Sequence, residues 1–124
     1  MPANPLRGEA EIKIGETTYK LCFDPNAFIY AEEALHATTD QIVEEFERTR
    51  KMANLRILRG LFWAGLQRHH ECTVSEAGDL LADAGLGEIK TAVARGMEAA
   101  FGVAENAEGK KPGNPRKTAA RGTG

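Results

Sequence analysis

Four side chains that bind metals or move protons stand side by side in this sequence: His69, His70, Glu71 and Cys72. His69 and Cys72 have the i, i+3 spacing that sets two ligands on one side of a helical turn, and imidazole with thiolate is a common zinc donor set. A structural zinc needs four converging ligands, and the chain has no second pair at ligand spacing. Neighbouring helical positions are turned about 100° apart, so His69 and His70 diverge. The other cysteine, Cys22, lies in a different element with no CxxC. Both thiols therefore read as free and buried, outside any metal site or disulfide framework. His36 follows a helix, where it meets the negative end of the dipole rather than acting as a base. The acidic pairs Glu32-Glu33 and Glu44-Glu45 read as solvated helix faces. No nucleophile elbow or glycine-rich phosphate loop occurs. The expectation is a protein that is not an enzyme and uses no metal, cofactor or small-molecule substrate.

What remains is binding, and charge narrows the partner. The formal net charge is −2, from 16 basic and 18 acidic residues, but it is unevenly spread. From Ala104 onward there are five basic and two acidic residues, which leaves eleven basic and sixteen acidic before that point. An acidic body argues against nucleic acid, because phosphate contacts supply most of that affinity. A helix-turn-helix over residues 55–70 and 75–84 fails for the same reason. Its recognition helix, SEAGDLLADAG, carries Glu76, Asp79 and Asp83 and no base. The basic tail is still able to touch an acidic surface.

The segment LRILRGLFWAGLQRHH, residues 55–70, gathers much of the bulky apolar side-chain volume. On a helical wheel Ala64, Ile57, Leu61, Gly65, Leu58, Phe62, Leu55 and Leu66 fill an arc of roughly 200°, too wide for a lone surface helix. The segment is expected to be the spine of the domain, with Gly60 and Gly65 allowing close packing that offsets a helix-propensity cost of about 1 kcal/mol each. Trp63 falls outside the arc, with Arg56, Arg59, Gln67 and His70 around it, while His69 falls inside. Trp63 either covers a rim of the core, stacked on Arg59, or anchors a partner, since Trp and Arg are enriched at binding hot spots. The expected partner-binding face is Trp63, Arg56, Arg59, Gln67 and His70.

The elements that must position this face are legible in turn. EAEIKIGETTYKLCF alternates Ala10, Ile12, Ile14 and then Tyr19, Leu21, Phe23 about Gly15-Glu16, the pattern of a β-hairpin with a tight turn. An isolated hairpin is marginal, so its apolar side must lie on helices. DPNAFIYAEEALH starts a helix with Asp24 as N-cap and Pro25 in the first turn. Its stripe is Phe28, Ala31 and Leu35, extended by Ala27 and Ala34, with Glu32 and Glu33 outward. Thr38 with Gln41, and Thr73 with Glu76, have capping-box spacing and open two more helices. The first of these carries Ile42, Val43 and Phe46; the second carries Ala77, Leu80 and Leu81 and stops at Gly85. Asn54 is a candidate cap for the spine. A last helix runs through Ile89, Ala92, Val93, Met97, Ala100 and Phe101.

At 124 residues the chain is expected to hold one domain with one modest core. The boundaries read as a flexible N-terminus at 1–8, a globular domain at 9–103 and a disordered basic tail at 104–124, whose composition cannot offset its ordering entropy. The fold class expected is α+β, mostly α: an N-terminal hairpin packed on about five short helices. No run is long and apolar enough for a membrane span, and MPANPLRGEA has no signal core, so the expected location is the cytoplasm.

Three passages together resemble the small tail assembly chaperones of long-tailed phages, prophages and gene transfer agents. They are RGEAEIKIGETTYKLCFDPNAFIYAEEAL, with Phe23, Asn26, Ala27, Glu32 and Leu35; LRGLFWAGLQRHH; and TVSEAGDLLADAGL directly after it. The resemblance spans about residues 7–101 and rests on no catalytic signature. It implies a non-enzymatic virion-assembly protein, usually absent from the finished particle, that binds the tape measure protein and helps tail tube subunits polymerise around it. Some relatives are structural tail tube components, which is the alternative reading; a small nucleic-acid-binding regulator acting through the basic tail is a third. The sequence departs from the family pattern in its short ECT loop and its long basic tail. Such chaperones are often made in two lengths by a −1 frameshift, and codons for Gly109-Lys110-Lys111 can form a slippery run.

Overall fold

The computed structural model describes residues 8–48 and 54–108. Two strands and five helices follow one another as β1 (Glu9–Ile14), β2 (Thr17–Cys22), α1 (Pro25–Leu35), α2 (Thr39–Arg48), α3 (Leu55–Leu66), α4 (Val74–Ala84) and α5 (Leu86–Glu108). The architecture is the expected α+β class, mostly α, with the hairpin laid on the helices. The segment read as a flexible N-terminus, apart from Gly8, and the tail beyond Glu108 lie outside the described residues. Helix α5 continues to Glu108, past the point where the apolar pattern of the sequence stops.

The hairpin register pairs Ile14 with Thr17 and Glu9 with Cys22. Gly15, at φ 62°, occupies the first turn position, while Glu16 has negative φ. This is the glycine-first two-residue turn whose twist matches that of the strands. Ala10, Ile12, Ile14, Leu21 and Phe23 are buried and Tyr19 is half-buried, so the alternating face is the inner one. At the open end the other face is covered too: Glu9 and Cys22 are both buried.

Helix starts follow the cap residues of the sequence. The Asp24 carboxylate accepts from Ala27 N at 2.9 Å. Thr38 and Gln41 exchange two bonds at 2.9 and 3.2 Å. Asn54 accepts from Arg56 N and Ile57 N at 3.1 and 3.2 Å. Thr73 and Glu76 complete a second reciprocal box at 2.9 and 3.1 Å. Each cap is worth about 1 kcal/mol, because it satisfies backbone donors that the helix leaves free.

Helix α3 is the spine. Phe62, Leu58, Leu61 and Leu66 are fully buried. The hairpin strand β2 and helices α1, α2, α4 and α5 all pack on α3. Each such side chain contributes roughly 1.5–3 kcal/mol. The glycines set the closest approaches: a Cβ at Gly60 would meet the Leu35 side chain at 2.8 Å, and one at Gly65 would meet the Phe23 ring at 2.8 Å. At the adjoining edge of that ring, a Cβ at Gly96 in α5 would lie 2.6 Å from Phe23 Cδ2. Phe23 is thus clamped between two helices that can come this near only as glycine.

Four expectations need correction. The spine ends at Leu66 rather than running to His70, so the wheel misplaces both histidines. His69 is exposed rather than inside the apolar arc. Leu55, the first residue of α3, is 55% exposed rather than part of the buried arc. Glu32 is not simply solvated: its Oε2 accepts from Thr39 N and Thr39 Oγ1, both at 2.8 Å, and ties α1 to the start of α2.

Candidate protein-binding surface

Helices α1 and α3 run antiparallel. Arg68, just past the end of α3, pairs with Asp24 before α1 at 3.2 Å, while Arg56 at the start of α3 donates to Leu35 O at the end of α1 at 2.9 Å. Trp63 stands at the solvent edge of this pair. Its ring lies 6.1 Å from that of Tyr30 on α1, tilted by 60°, and its Nε1 donates to Cys72 O at 2.8 Å. The indole therefore wedges between α1 and the loop leading to α4, half-buried against the core.

Gln67 explains why the helix stops there. Its backbone N–H turns to Ala64 O at 3.4 Å, three residues back, which frees the Trp63 carbonyl. The Gln67 side chain then donates to that carbonyl at 2.8 Å and accepts from Cys72 N at 3.3 Å. One amide caps the last turn and anchors the loop, so Trp63, Gln67 and Cys72 form a closed polar knot.

The five side chains expected to form one face are therefore distributed. Trp63 and Gln67 stand together. Arg56 is held at the far end of the α1–α3 pair, and the exposed Arg59 leans over Gly78 on α4, 3.3 Å from where a Cβ would stand. His70 leaves the group: with the helix ended, its ring turns edge-on to Tyr19 of the hairpin at 5.0 Å. His69 Nε2 lies 3.2 Å from Glu9 Oε2, which joins the post-α3 turn to the first residue of β1. The wheel had no means of showing either contact, since both depend on the chain leaving helical geometry.

Two residues join Trp63 that the pattern reading passed over. Ile29 is 49% and Tyr30 41% exposed on α1. The signal was present in the sequence as Phe28-Ile29-Tyr30: three consecutive bulky side chains sweep about 200° of a helix, so one core-facing stripe cannot take all three. Phe28 goes toward α5, where it stacks on Phe101 at 5.5 Å, and Tyr30 toward α3. Below Tyr30 a cleft of about 70 Å³ is lined by Cys22, Asp24, Asn26, Ala27, Tyr30, Ala64, Gln67 and Arg68. That is well short of the several hundred Å³ that encloses a small-molecule ligand.

The thiols are set against chemistry. Burial, followed by the nearby Asp24 and Glu9 carboxylates, pushes the Cys22 thiol up, and burial does the same for the half-buried Cys72. Both stay protonated at neutral pH, the unreactive form. Among the described residues no group of three or more His, Cys, Asp or Glu side chains is arranged to hold a metal, and no helix is long and apolar enough to cross a membrane. Comparison with protein-family models, with curated proteins and with solved structures gives no match.

Proposed function

We propose that this chain is a non-enzymatic binding protein of the tail assembly chaperone kind, engaging the tape measure and tail tube proteins of a phage or gene transfer agent while the tail is built. One observation carries the reading. Exposed Ile29 and Tyr30 on α1 continue into Trp63 on α3, and Asn26, Glu33, Gln67 and Arg68 stand around them. An apolar centre with a polar rim is the anatomy of a protein interface, and a partner helix laid along the α1–α3 junction would bury it. The resemblance of the three quoted passages is what supports tape measure and tail tube proteins as the partners. His70, turned to the hairpin, stands apart from this surface, while Arg56 and Arg59 flank it.

The test is co-expression with a tape measure protein and a tail tube protein encoded in the same genome, followed by co-purification. The intact chain retains one of them, and Tyr30→Ala weakens retention by about 5- to 30-fold, the effect of losing 1–2 kcal/mol at an interface. Retention of neither protein overturns the reading. Mass spectrometry of purified particles separates the chaperone, which is absent from them, from a structural tail component, which remains.

A further inference from the structure

The exposed face of α1 is acidic as well as apolar, and the acidity continues into α2. From Asp24 to Glu47 the chain has seven acidic residues and no Lys or Arg. Three are engaged: Asp24 with Arg68, Glu32 with Thr39, and Glu45 with Arg48 and Asn54. Glu33, Asp40, Glu44 and Glu47 are exposed, and none makes an ion pair among the described residues. Glu33 lies one turn from both Ile29 and Tyr30, so it borders the apolar patch directly.

The same chain carries the complementary charge. Residues 109–124 contain five basic residues, Lys110, Lys111, Arg116, Lys117 and Arg121, and no Asp or Glu. They begin where α5 ends: Phe101 of α5 stacks on Phe28 in the first turn of α1, and Glu108 is seven residues, about 10 Å, further along the helix. From Glu108 a segment of twelve residues reaches up to about 40 Å when extended, enough to pass along α1 and on to α2. Reach alone does not separate α2 from α4: Lys90, near the start of α5, stands over Phe46 of α2, and α4 joins α5 at Leu86, but Arg59 lies over Gly78 and sets a cation against α4.

We propose that the basic tail, residues 109–124, docks in cis along the acidic outer face of α1 and α2 and covers Ile29 and Tyr30. Single exposed ion pairs are weak, but a tethered segment meets its site at an effective concentration in the millimolar range, and five cations facing four free carboxylates act together. A partner must displace the tail to reach the apolar patch, so the tail sets a threshold for binding. The inference rests on charge, reach and exposure and is independent of the tail assembly reading.

Zero-length carbodiimide coupling of the full chain, read by peptide mass spectrometry, tests it. In about 0.01 M salt, Lys110, Lys111 or Lys117 couples to Glu33, Asp40, Glu44 or Glu47 within the monomer; in about 1 M salt, where charges are screened within about 3 Å, the yield falls several-fold. Glu33→Gln with Glu44→Gln lowers the yield at low salt as well. Coupling to Glu76, Asp79 and Asp83 of α4 at equal yield, coupling found only in covalent dimers, or no coupling at low salt overturns the proposal.

Discussion

Gly96→Ala sets two ordinary rules against each other, and the structure decides between them. In a helix interior, alanine is favoured over glycine by about 1 kcal/mol. At this position, however, the added methyl would sit 2.6 Å from Phe23 Cδ2 and 2.8 Å from Cε2, about 1 Å inside normal carbon contact. The ring cannot retreat. Phe23 is 2% exposed, and Gly65 on α3 already approaches the Cζ tip of the ring so closely that a Cβ there would stand 2.8 Å away. Overpacking a tight core costs about 1–3 kcal/mol. A ring with no room to retreat falls in the upper half of that range, so with the propensity gain subtracted the net expectation is a loss of about 1–2 kcal/mol, which for a domain of this size lowers Tm by roughly 4–16 °C. Urea unfolding followed by the fluorescence of Trp63, the single tryptophan, measures it. Gly87→Ala is the control: it lies in the first turn of α5 with nothing within 4 Å of its Cβ, and it should be neutral or slightly stabilising. Phe23→Leu in the Gly96→Ala background should cost less than the sum of the single changes, with a coupling of about 0.5–3 kcal/mol. A Gly96→Ala protein as stable as the parent, or additive behaviour of the pair, would refute the clamp.

Further outcomes follow from the same contacts. Trp63→Phe keeps the ring but strands the Cys72 carbonyl, and urea unfolding should show a loss of about 1 kcal/mol; Trp63→Ala should lose about 2–3 kcal/mol, so its effect on a partner has to be read beside its stability. Asn54→Ala removes the acceptor for two α3 donors and should cost about 1 kcal/mol by the same measurement, without altering retention of a partner. Because the Cys22 thiol is pushed above its ordinary value of 9.0, the native state favours the protonated thiol. Its contribution to stability is complete below that value and is lost as pH rises through the native pKa. The parent should therefore lose stability more steeply above pH 9 than Cys22→Ala does, as unfolding midpoints across that range would show. Maleimide labelling at neutral pH should modify half-buried Cys72 before buried Cys22, and the reverse order would contradict their burial.

Much of this protein was legible from residue types alone, because the signals were local. Gly15 marks the hairpin turn, Asp24, Thr38, Asn54 and Thr73 mark helix starts, and the wide apolar arc of residues 55–66 marks the spine; each acts within about one turn of backbone. Gly60 and Gly65 were also legible as close-packing positions, although the side chains they admit, Leu35 and Phe23, were not. The tertiary structure alone decided how Trp63 is used. Its hydrogen-bond partner is nine residues away in a loop, and that loop exists because Gln67 spends its side-chain amide on the Trp63 carbonyl and Cys72 N–H. With α3 closed at Leu66, periodicity ceases to govern the residues beyond it, and His69 and His70 turn to Glu9 and Tyr19 on the hairpin. Exposure of Ile29 and Tyr30 was settled in the same way: a helix carries apolar side chains all round without penalty from its own backbone, and only the placement of α3 and α5 determines which of them water still reaches.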